Sequence, residues 1–211
     1  MNASTCTPTL LQDDLDEEHL QIYLNSAQLA VDTETRGLCI RRDRLCLVQM
    51  CNADGVVTLV RIREDSPTPR LKELLEAHQV EKVFHFARYD MATLLYWLGI
   101  QVYPVYCTKL ASRIGRTYTD RHGLKDLTRE FFGVDMNKDQ QSSDWAHETL
   151  SPEQQQYAAN DVTMLLAVRD RLDAILVRER RDHLARACME FLSVRVALDL
   201  AGWEETDIFA H

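Results

Sequence analysis

Leu29-Ala30-Val31-Asp32-Thr33-Glu34-Thr35 is the stretch from which the fold is read. Three apolar residues lead straight into two acidic ones, so carboxylates interrupt what would otherwise be a buried strand. Side chains two apart on a strand share a face, which aims Asp32 and Glu34 at one point. With 33 acidic residues in 211, such a pair arises readily on a solvated surface and alone decides nothing. Its place at the end of an apolar run carries more weight, because a buried carboxylate needs a cation or donors to offset lost hydration.

Outward from this strand, Arg44–Cys51 and Val56–Ile62 read as two more strands around the turn Asn52-Ala53-Asp54-Gly55, giving three consecutive antiparallel strands. Leu15–Asn25, ahead of them, reads as a helix. Past the loop Ser66-Pro67-Thr68-Pro69, helical spacing at Leu71, Leu74 and Leu75 precedes a strand at Val83–Phe86, a helix at Tyr89–Leu98 and a strand at Val102–Tyr106. From Thr108 the pattern is helical, with a polar interruption from Asn137 to Thr149. Ser151-Pro152-Glu153-Gln154 marks a helix start, Ser at the N-cap, Pro in the first turn and Gln completing a capping box. The order βββαβαβ followed by helices predicts an α/β domain of three layers around one mixed sheet. Residues 1–172 read as that domain. The 39 residues from Asp173 onward, too few to fold alone, read as its helical extension and tail.

Composition places limits on function. Hydrophobic residues at 45%, charged residues at 27%, 7 Gly and 5 Pro describe a soluble globular chain and exclude collagen-like and disordered classes. A net charge of −9 repels polyphosphate at long range, which disfavours avid binding to long nucleic acid but not a short or metal-bridged phosphate substrate. The polar start, acidic through Asp13, Asp14, Asp16, Glu17 and Glu18, is unlike an export signal, and no run reaches the ~20 apolar residues of a membrane helix. Six scattered cysteines lack the spacing of a zinc site and are expected to be reduced packing thiols. A cytoplasmic protein that does not contact membranes is the expectation.

Two further segments deliver acid near apolar structure. Val83-Phe84-His85-Phe86-Ala87-Arg88-Tyr89-Asp90 runs from strand to helix start, where Asp90 suits either a helix N-terminus or a ligand role. Tyr157-Ala158-Ala159-Asn160-Asp161 places Tyr157 and Asp161 four apart on one helix face, a spacing that fits a structural hydrogen bond or a shared site. Ala158 and Ala159 leave room for another element to approach.

Asp32, Glu34, Asp90, Tyr157 and Asp161, in this order and context, resemble the three motifs of the DEDD 3′–5′ exonucleases, in the tyrosine-bearing branch that includes ribonuclease D. The strings from Arg116 to Lys125 and from Gln140 to Ala146, with Leu198–Trp203 and Asp207–His211, resemble a narrower group, the bacterial nanoRNase C enzymes. The resemblance spans roughly Thr9 to His211. It implies a ribonuclease H-like fold and two divalent cations, Mg²⁺ or Mn²⁺. One would be held by Asp32, Glu34 and Asp161, and a second by Asp32 with Asp90. Tyr157, whose ordinary pKa is about 10, would orient the attacking water rather than act as a full base.

The same resemblance implies hydrolysis of very short RNA, above all 5′-phosphorylated diribonucleotides such as pGpG from cyclic di-GMP turnover, and a homo-oligomer, in this group an octameric ring. Leu38 matches a wedge against the terminal bases and otherwise packs in its loop. His85 matches a contact to the scissile nucleotide and otherwise is a core histidine. Lys109–Lys125 carries five cations against one Asp, and Arg36–Arg44 four against one, each a solvated face or a phosphate contact. Arg113, Arg116, Arg121, Lys138 and Ser143 are the candidates to cap a 5′ phosphate. The alternatives are ribonuclease D-like trimming of longer RNA, an exonuclease acting on DNA, and a non-catalytic nucleic-acid-binding scaffold on the same fold.

Overall fold

The computed structural model describes residues 7–136, 139–140 and 143–211. The first half runs β1 (Thr9–Gln12), α1 (Glu17–Leu24), β2 (Gln28–Thr35), β3 (Leu45–Asn52), β4 (Val57–Arg61), α2 (Pro69–Glu76), β5 (Glu81–Phe84), α3 (Ala87–Leu98) and β6 (Val105–Cys107). Helices follow: α4 (Thr108–Gly115), α5 (Leu124–Phe132), α6 (Pro152–Thr163), α7 (Leu165–Arg178), α8 (Asp182–Glu190) and α9 (Leu192–Leu198), then a closing turn at Asp199–Trp203. The six strands form one sheet in the order β1-β4-β3-β2-β5-β6. β2, β3 and β4 pair antiparallel, as the hairpin signals predict, while β1, β5 and β6 join by parallel pairing.

The strand β1 is absent from the sequence reading. Thr-Leu-Leu-Gln is four residues long without β-branched alternation, and it becomes a strand only because β4 offers it a free edge. The strand expected at Val102–Tyr106 begins later, at Val105, after a Pro104 that has no N–H for a ladder.

Side-chain alternation along β2 sorts the core into two layers. Leu29 and Val31 face a layer with Tyr23, Leu71, Leu74, Ala92, Leu94, Leu192 and Val196, drawn from α1, α2, α3 and α9. Ala30 faces the opposite layer, with Val162, Leu165, Val168 and Leu172. Beside it Leu47 and Leu59 pack on Trp145, Tyr157 and Ala158. α7 runs unbroken through Leu172. Among the described residues no helix is long and apolar enough to cross a membrane, and Cys39, Cys46, Cys107 and Cys188 are free thiols.

The start of α6 is as the sequence predicts. Ser151 Oγ accepts from the Gln154 backbone N–H at 3.2 Å, and Gln154 Oε1 accepts from the Ser151 N–H at 2.9 Å. Ser151→Ala removes half of this box and is expected to cost about 1 kcal/mol, a melting temperature lower by about 2–4 °C in calorimetry. No change in melting would show that α6 is anchored by packing alone.

Candidate active site

Asp32 and Glu34 project from the end of β2 on the face that α6 covers. The ladder with β3 holds register up to Glu34 and shifts between Glu34 and Thr35. Such an irregularity twists a strand locally; pairing resumes in the shifted register at Thr35 with Leu45 and continues through the Arg36 N–H to Arg44 O before the chain turns at Gly37. α6 brings the third carboxylate: buried Ala158 and Ala159 lie against the sheet, and Asp161 follows them. One oxygen each from Asp32, Glu34 and Asp161 lies within 4.8 Å of the others.

Asp90 arrives from the other side of the sheet. It sits in the first turn of α3, directly after β5, the parallel neighbour of β2. Thr33, between the two acids of β2 and facing the opposite way, donates its hydroxyl to Asp90 Oδ1 at 2.7 Å, with both residues buried. Asp32 has a second holder. Gln49, its cross-strand partner on β3, donates from Nε2 to Asp32 Oδ2 at 2.9 Å. The sequence reading singled out neither Thr33 nor Gln49, although an amide in the middle of the apolar run Leu45–Cys51 was a visible signal.

The electrostatics are those of crowded anions. Burial pushes the Asp32 carboxyl well above its usual range, with further upward pressure from Asp90, Asp161 and Glu34. Burial, then Asp161 and Asp90, pushes Glu34 up to about 9. Burial pushes Asp90 up to about 7 against the opposing Thr33 hydrogen bond. Tyr157 is also raised, first by burial and then by Asp161 and Glu34, so at neutral pH it remains a phenol. An all-oxygen cluster under mutual repulsion, with no nitrogen or sulfur donor in the set, is suited to hard divalent cations of the Mg²⁺ or Mn²⁺ type.

The loop after β2 is pinned. Tyr89 donates to Gly37 O at 2.9 Å, Trp97 Nε1 to Ile40 O at 2.9 Å, and the Cys39 N–H to Asp43 Oδ2 at 2.9 Å. A Cβ on Gly37 would lie 2.4 Å from Asp43 Oδ2, so a larger residue here would displace the carboxylate that accepts from the Cys39 N–H. Leu38, carried on the loop, is 87% exposed and is not packed in it. His85 Nδ1 lies 2.9 Å from Thr108 Oγ1, whose own proton goes to Phe84 O. This arrangement places the ring proton on Nδ1.

The basic candidates separate. Arg113 and Arg121 are exposed. Arg116 is fully buried, bonding Ser112 Oγ, the Arg121 carbonyl and Glu130, with Tyr118 and Phe131 beside the guanidinium. Ser143 Oγ accepts from Gln154 Nε2 at 3.0 Å, and Lys138 lies outside the described residues. Phe86, Lys109 and Arg113 line a cavity of about 540 Å³ beside α8 and α9.

The family model for 3′–5′ exonucleases matches residues 9–177. This chain belongs to that family. The chain is 30% identical to ribonuclease D of Nitrobacter hamburgensis over 80% of its own length, but spans only 44% of that protein. It is 44% identical to the structure of Brucella melitensis NrnC bound to pGG, with a TM-score of 0.92, covering 97% of this chain and 98% of that one. NrnC from the same organism with bound Mg²⁺ is 42% identical at a TM-score of 0.92, covering 98% and 100%. The mixed sheet between helices is therefore the ribonuclease H-like fold of these exonucleases.

Carboxyls whose pKa is raised by folding bind more protons in the native than in the unfolded state, so stability falls as pH rises. Without metal, stability should be lost from the ordinary carboxylate range of ~4 up through about 7 for Asp90 and about 9 for Glu34. In thermal denaturation with chelator, the protein is expected to melt lower at pH 9 than at pH 6, and Asp32→Asn to raise melting at pH 8 by about 2–4 °C. A parent whose melting rises with pH across this window would contradict the upward shifts that burial and crowding give these carboxyls.

Proposed function

We propose that this exonuclease hydrolyses very short RNA from the 3′ end, with 5′-phosphorylated diribonucleotides, pGpG among them, as its main substrate and mononucleotides as products. The whole-length likeness to NrnC bound to pGG carries this reading, because it covers both chains almost completely. Asp32, Glu34 and Asp161 hold a divalent cation, and Asp90 supports a second next to Asp32. When bound, Mg²⁺ or Mn²⁺ supplies the positive charge that lowers the pKa of water and offsets the developing oxyanion and leaving 3′ oxygen.

The protein's own groups do the placing. Tyr157, a phenol at neutral pH, holds the attacking water by a hydrogen bond. Leu38, exposed on its pinned loop, wedges against the terminal base, and His85, fixed through Nδ1, meets the scissile nucleotide. Arg113 and Arg121, exposed near the start and end of the segment that Arg116 organises, contact the 5′ phosphate. A phosphate contact at fixed distance from the carboxylates favours one substrate length. Ser143, tied to Gln154, and Lys138 complete the proposed cap.

A homo-oligomer, in the form of an octameric ring, is the second part of the proposal. Its support is apolar surface near the carboxyl end: Leu184, Val194 and Trp203 are about half exposed, and Phe209, against Phe191, is 78% exposed. Sedimentation velocity is expected to show an assembly that Phe209→Asp weakens. A parent that sediments as a monomer would refute it.

The deciding assay is hydrolysis of 5′-phosphorylated RNAs of two to about ten nucleotides with Mg²⁺, Mn²⁺ or chelator. Turnover should be highest on the dinucleotide, at least tenfold above longer RNAs. Equal turnover at all lengths would overturn the dinucleotide reading and leave the nuclease standing. Activity that survives complete chelation would overturn both.

A further inference from the structure

Gln49 is fully buried in the middle of β3, directly across the ladder from Asp32. Its neighbours along the strand, Val48 and Met50, are apolar and equally buried. Nε2 donates to Asp32 Oδ2 at 2.9 Å, while Oε1 is buried and has no hydrogen-bond partner among the described residues. A half-satisfied buried amide costs stability, and an apolar side chain would fill the site at less cost. The residue is therefore poorly explained by packing.

We propose that Gln49 is a positioning residue for the cation site: its amide fixes the rotation of the Asp32 carboxylate toward Glu34 and Asp161. The chemistry favours glutamine over the other donors. Lysine or arginine would reach Asp32 as well but would neutralise it and compete with a cation. Asparagine is one methylene shorter, and an apolar residue of the same size leaves Asp32 free to turn. A neutral donor orients the anion and leaves its charge for the metal.

The inference rests on the reading of Asp32 as a cation ligand, and the test separates the two. Mn²⁺ binding without RNA is measured by electron paramagnetic resonance for the parent, Asp32→Asn, and the donor-free variants Gln49→Met and Gln49→Leu, with melting temperatures in chelator. The Gln49 variants are expected to melt at or above the parent and to bind Mn²⁺ about tenfold or more weakly. The Mg²⁺ concentration for half-maximal hydrolysis should rise more than turnover at saturating Mg²⁺ falls. If Asp32→Asn keeps parental Mn²⁺ affinity, the ligand reading fails. If it loses affinity while both Gln49 variants stay within twofold of the parent, the positioning role fails. Failure of both Gln49 variants to fold, or a fall in melting of more than about 5 °C in both, would show that the amide serves packing and would also overturn it.

Discussion

Carboxylates that repel one another sit at the end of β2, and much of the surrounding structure acts to hold them there. Left to themselves they would separate or take up protons: burial and then neighbouring carboxylates push Asp32 and Glu34 up, and burial pushes Asp90 up. Instead each sits on an element fixed by other means. The sheet register sets Asp32 and Glu34, a capping box and two alanines set the helix of Asp161, and the short step from β5 into α3 sets Asp90. Hydrophobic burial on both faces of the sheet supplies the stability that this local repulsion consumes.

Two neutral donors complete that hold, and they act from opposite faces of the sheet. Thr33 ties Asp90 to β2 from the α3 side, and Gln49 ties Asp32 to β3 from the α6 side. Neither carries charge, so neither cancels the negative potential a cation requires. The period of a strand makes this possible, since one residue between two acids necessarily faces away from them and is free to hold a fourth carboxylate.

Asp32 with Glu34, and Tyr157 with Asp161, were legible as same-face pairs because strand and helix periods are local, whereas Asp90, on a segment that crosses from β5 into α3, joined them only through the family resemblance. The hairpin strands and the start of α6 were legible for the same reason. Features that depend on distant partners were not. Thr-Leu-Leu-Gln becomes β1 only through pairing with β4 some fifty residues away. Arg113 and Arg116 look alike in a basic segment, yet one is exposed and the other is enclosed by Ser112, Glu130 and Phe131. The Arg116 guanidinium, bonded to Ser112, Tyr118, Glu130 and the Arg121 carbonyl, ties down the loop that carries Arg121.

The same distinction applies to the carboxyl-terminal residues. Asp199, just past α9, accepts from Arg88 Nε at 2.6 Å and Arg195 Nη2 at 2.6 Å. Burial works to raise its pKa, but the two guanidiniums outweigh it and hold the carboxyl below its usual range. Arg88 also reaches the Glu204 carbonyl, and Arg41, from the loop bearing Leu38, reaches the Leu200 carbonyl at 2.7 Å. Arg88 lies two residues before Asp90 on α3, and Leu192 and Val196 share their core layer with Ala92 and Leu94. Displacing this end of the chain would expose that layer, free Arg88 and remove the Arg41 contact, one of several that hold the Leu38 loop. Contacts that reach the elements of the site thus extend well past its last carboxylate, Asp161, to Asp199 and Leu200, inside the Leu198–Trp203 string of the sequence.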